Sequence, residues 1–116
     1  MPRYLISFDH GAMDHIPEEE GPAVRDASLA VIQEAKDAGV WVFAEGVYPD
    51  DEVSTSVVAP DGTVTDGVEK RPYIAALTII EVPSREDALG WAAKLAAANR
   101  CAQEVREFSP VPVAGS

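Results

Sequence analysis

Three side chains able to move protons stand at the ends of segments that read as strands: His10, Glu45 and Asp66. An imidazole with an ordinary pKa near ~6.5 exchanges its proton at neutral pH. Two carboxylates sharing one pocket are driven apart in pKa, so that one serves as acid and the other as base. His10 as acid/base near Glu45 or Asp66 would suit a lyase or hydrolase acting on a small polar substrate. Each also has a plainer reading. His10 could be a solvated loop histidine, Glu45 could satisfy backbone donors, and Asp66-Gly67 is ordinary turn chemistry. Asp9 could orient His10 only if the strand bends, because adjacent strand residues point to opposite faces.

Other reactive residue types are less well placed. His10, Asp14, His15 and Glu18 are of metal-ligating type, but they contain no helical i, i+4 histidine pair and match no zinc spacing. Ser28 and Cys101 have no visible activating partner. No glycine-rich phosphate loop is present. The sequence therefore predicts no metal and no cofactor.

The elements that must position these groups follow from hydrophobic period and turn residues. Arg3–Asp9 alternates as a strand, with Tyr4, Ile6 and Phe8 on one face. Pro22–Ala38 is helical, with Val24, Ser28, Val31, Ile32 and Ala35 along one side and Gly39 as its stop. Val40–Ala44 and Val53–Ala59 read as strands. Pro60-Asp61-Gly62 turns the chain back into Thr63–Thr65. Tyr73–Val82 is apolar at nearly every position, as a central strand covered on both faces requires. Ser84 caps a second helix that runs to Asn99, with Asp87 three residues on. Its inward positions are Ala88, Leu89, Ala92, Leu95 and Ala96. Gln103–Phe108 is a last strand, and residues 109–116 form a flexible tail.

This order is that of an α+β fold, a ferredoxin-like split βαβ unit with an antiparallel sheet. Residues 1–108 of the 116 make one domain. Helices cover one sheet face, and a second copy covering the other predicts a homodimer. Twenty acidic against nine basic residues give a net charge of −11, which repels phosphate backbones and anionic lipid. Nucleic-acid and membrane partners are not expected. A single cysteine and the lack of any long apolar run fit a soluble, cytoplasmic protein.

The same residues resemble the YCII-related family, in particular its DGPF-motif branch, over roughly Arg3 to Pro110. The resemblance is carried by Ala44-Glu45-Gly46-Val47, Thr65-Asp66-Gly67, Ile79-Ile80-Glu81-Val82, Asp87-Ala88-Leu89, Trp91-Ala92-Ala93 and Glu104-Val105-Arg106. It implies a ferredoxin-like fold dimerised face to face as a dimeric α/β barrel, with a pocket between the sheet and its loops. It further implies, for related branches, dehalogenation of a chlorinated lactone or a His-Asp dyad. Here the dyad positions carry Ser28 and Leu95-Ala96, and Val68-Glu69-Lys70 follows Asp66-Gly67 in place of Pro-Phe. The expectation is thus an uncharacterised YCII-like homodimer that binds a small polar metabolite. The alternatives are the His10 enzyme, acting on a lactone-like or polar substrate, and an interaction protein of a regulatory system.

Overall fold

The alternation of Arg3–Asp9 becomes strand β1 in the computed structural model, which describes residues 1–67 and 73–110. A short 3-10 turn at Glu18–Glu20 leads into helix α1 (Gly21–Asp37), and β2 (Trp41–Gly46) follows. β3 (Ser56–Val58) and β4 (Val64–Asp66) pair with each other as a separate two-stranded sheet. The chain then runs through β5 (Ile74–Glu81), α2 (Arg85–Asn99) and β6 (Glu104–Glu107). The main sheet has the order β2-β5-β1-β6, antiparallel throughout. The fold is α+β, with two helices and an antiparallel sheet.

The second helix starts as its residues dictate. The Ser84 hydroxyl accepts the Asp87 backbone N–H at 3.2 Å, capping an N–H left free at the helix start. Ala88, Ala92, Leu95 and Asn99 recur every three or four residues, and all are buried. The alanines bring the helix close to the sheet. Tyr4, Ile6, Ile80 and Val82 meet Ala88, Ala92 and Leu95 in the core, with Val31 and Ile32 of α1 packed against them.

Two expectations need correction. Leu89 does not face inward: it is 45% exposed. It follows Ala88 by one residue, about 100° around the helix, which takes it off the buried line. The strand expected over Val53–Ala59 is shortened to Ser56–Val58. The backbone N–H groups of Glu52 and Val53 both donate to the Pro49 carbonyl at 3.0 Å, and the Thr55 hydroxyl donates to Asp50 Oδ1 at 2.7 Å. These bonds keep the first half of that segment in a turn. Residues 111–116 of the expected tail, and Val68-Glu69-Lys70, lie outside the described residues.

The helix-free sheet face carries Leu5, Ile79 and Phe43 in one cross-strand row and Ser7, Leu77 and Glu45 in the next. Arg3 and Glu81 pair at its end, Nε to Oε2 at 2.9 Å, and that hydrogen bond holds the Glu81 carboxyl below its usual range. Phe43 is 45% exposed. Val53, Val58 and Val64, in and beside the β3–β4 hairpin, are also exposed. Among the described residues no helix is long and apolar enough to cross a membrane.

The two leucines of α2 separate core from surface by experiment. Leu95→Ala should lower the unfolding free energy in urea by about 2–5 kcal/mol. Leu89→Ala should change it by no more than about 0.5 kcal/mol. Equal losses at the two positions would contradict this placement.

Candidate functional site

Strand pairing stacks the helix-facing residues in three rows, and their sizes fall along the sheet. The first row is Tyr4, Ile80 and Trp41; the second is Ile6, Thr78 and Ala44; the third is Phe8, Ala76 and Gly46. In the first row Tyr4 and Ile80 fill the space beneath the helices, and Trp41 lies half-buried on the edge strand beside them. In the second and third, residues from β5 and β2 shrink to threonine, alanine and glycine. The volume they leave is a cavity of about 280 Å³ between sheet and helices, bordered by every residue of those two rows. A Cβ at Gly46 would meet nothing nearer than the Ala75 carbonyl oxygen at 3.7 Å, so the missing side chain leaves open space.

The helices complete the walls. Ser28 and Ile32, one turn apart on α1, face Leu95 and Asn99, one turn apart on α2, and Gln103 closes one side ahead of β6. The Ser28 hydroxyl donates to Asn99 Oδ1, joining the helices inside the cavity wall. Asn99 and Thr78 are each 9% exposed. The lining is thus mostly aliphatic and aromatic, with hydroxyl and carboxamide groups at a few fixed points, the usual make-up of a small-molecule site. Ligand pockets usually span about 300–1,000 Å³, so this one suits a small guest.

The three proton-moving residues are dispersed. Glu45 borders the cavity, but strand alternation assigns its side chain to the helix-free face, in a row with Ser7 and Leu77. Asp66 is exposed on the hairpin, where its Oδ1 accepts the Ser56 hydroxyl. Neither Asp66 nor His10 borders the cavity. His10 is no solvated loop residue. Its ring is half-buried against Tyr73, centroids 4.5 Å apart, and its backbone N–H donates to the Tyr73 carbonyl at 3.0 Å. Its Nε2 is buried with no hydrogen-bond partner among the described residues, and so is Trp41 Nε1. Lys36 stands 4.6 Å from the centre of the Trp41 ring, and Lys94 4.8 Å from that of Trp91. Both tryptophans therefore support cation–π contacts at the molecular surface.

Asn99 escapes a reading of sequence alone. Its partner Ser28 is seventy-one residues away, and no local pattern marks either as one half of a pair. The nearest legible hint is the helical spacing that sets Ser28 on the inward side of α1. Among the described residues no three His, Cys, Asp or Glu side chains gather as metal ligands would.

Cys101, just beyond α2, is half-buried, and burial pushes its thiol pKa up. Gln103 Nε2 lies 3.6 Å from Sγ and pulls it partly back. A raised thiol pKa leaves little thiolate at neutral pH, where a nucleophile would need it.

No family model and no curated protein matches the chain.

The raised thiol has a measurable consequence. Alkylation of Cys101 by iodoacetamide should still be accelerating at pH 9.0, the midpoint of an unperturbed thiol. Gln103→Ala should move the midpoint higher still, because the bond that favours thiolate is lost. A rate already level at neutral pH would contradict this.

Proposed function

We propose that this chain is a YCII-related protein of the DGPF-motif branch, a cytoplasmic homodimer that binds a small polar metabolite between its sheet and helices. The observation that carries the reading is the cavity itself: apolar walls with Ser28, Thr78, Asn99 and Gln103 at fixed points. A lyase or hydrolase built on His10 has less support. His10 and Asp66 lie off the cavity, and Ser28 and Leu95 occupy the places where related branches carry a His-Asp dyad.

The sheet order β2-β5-β1-β6 accords with the ferredoxin-like unit of a dimeric α/β barrel. The helix-free face accords with a second copy as its cover: Leu5, Leu77 and Ile79 form an apolar patch there, with Phe43 at its border. A monomer would leave this patch to water, which is unfavourable for a contiguous apolar area.

A thermal-shift screen of small polar metabolites tests the binding reading. A true ligand at a hundred times its Kd stabilises the fold by about 2.7 kcal/mol and raises the melting temperature accordingly. Ala76→Leu, which fills the cavity, should abolish the shift, whereas His10→Ala should preserve it. A shift that survives Ala76→Leu would place the ligand elsewhere. Light scattering should give twice the chain mass, and a stable monomer would remove the barrel arrangement.

A further inference from the structure

We infer that the cavity selects uncharged ligands bearing a carbonyl-type acceptor, which the Asn99 carboxamide receives. The inference rests on the ligand-binding reading and specifies what that site takes. Its basis is the direction of one hydrogen bond. The Ser28 hydroxyl donates to Asn99 Oδ1, so the oxygen of the carboxamide is engaged and its Nδ2 carries the two remaining donors. Asn99 lies at the last position of α2 and borders the cavity while being nine-tenths buried. No protein acceptor among the described residues takes up Nδ2, so a guest's acceptor oxygen is its natural complement. The Thr78 hydroxyl, equally buried on the sheet side, is able to donate or accept.

Charge selection follows from what surrounds these groups. Among the described residues, no lysine, arginine or histidine borders the cavity. Among the described residues, Arg100 is engaged with Glu20, Lys94 with Glu34, and Lys36 lies over the Trp41 ring. A carboxylate or phosphate would meet Ile6, Phe8, Ile32 and Leu95 with no counter-charge among the described residues, and burying an unpaired ion is strongly unfavourable. The chain's net charge of −11 opposes anions further. A buried cation would be no better served, since the side chain of Glu45, the one acidic residue at the border among the described residues, alternates to the opposite face.

Three ring-sized probes of one shape but different charge separate these cases: benzamide, benzoate and benzamidine, titrated at pH 7 into the full chain and followed by amide and side-chain NMR shifts. Benzamide should perturb the Asn99 side-chain NH2 and the Thr78 backbone amide. Benzoate should bind more weakly by about tenfold or more. Asn99→Asp should turn the preference toward benzamidine, and Thr78→Val, which keeps the side-chain shape, should weaken benzamide in a chain that folds normally. Benzoate binding in the cavity as tightly as benzamide would overturn the charge selection and leave the binding reading standing. Shifts at these residues from none of the probes would overturn both.

Discussion

The pairing of β5 with β1 on one side and β2 on the other is the constraint from which the rest of the molecule follows. That double register decides which residues share a row, and therefore which side chains lie beneath the helices. A slip of one residue would turn Ile80 and Thr78 to the open face and bring Ile79 and Leu77 under α2. Core and cavity are consequently two parts of one arrangement. The large first row and the depleted third row lie on the same three strands, separated by only four residues along β1 and β5 and five along β2.

The helices answer this gradient with different means at the same depth. α2 approaches the sheet through alanines at its buried positions, which leaves little room for large side chains to fill what the third row vacates. Polar links then hold the helical layer together where packing is thin. Lys94 reaches Glu34, Arg100 reaches Glu20 at the entrance to α1, and Ser28 reaches Asn99 within the wall. The first two are exposed and contribute little each. The third is half-buried in the cavity wall, where breaking it would leave polar atoms beside apolar neighbours. Arg100 follows Asn99 with a left-handed backbone, φ 57°, and so terminates the helix at the residue that faces the cavity.

Local signals made much of the framework readable from the residues. Ser84 before an amphipathic run, Pro60-Asp61-Gly62 between short β-prone segments, and the apolar continuity from Tyr73 to Val82 each have a near-neighbour cause. The site was less legible because its causes are long-range. Ser28 looks unpartnered until α2 folds over α1. Glu45 and His10 both stand at strand ends, but strand alternation separates Glu45 from the cavity, and the irregular pairing at Phe8 and Asp9 precedes the turn that sets His10 against Tyr73. Leu89 stands one residue of helical phase off the buried line, a difference that its apolar neighbours Ala88, Trp91 and Ala92 conceal. Pairing between β2 and β5 also shifts between Trp41 and Phe43, which no residue pattern in Val40–Ala44 announces.

Gly46 gives the arrangement a further property. Its backbone needs no glycine, and a methyl group there would make only ordinary van der Waals contact. The same holds in kind for Ala44 and Ala76, whose small size rather than unusual geometry leaves the hollow. The interior is therefore a mould whose depth is set by side-chain trimming on an unaltered scaffold. Single substitutions in these two rows therefore reshape the hollow while the strand register and the helix seating stay as they are.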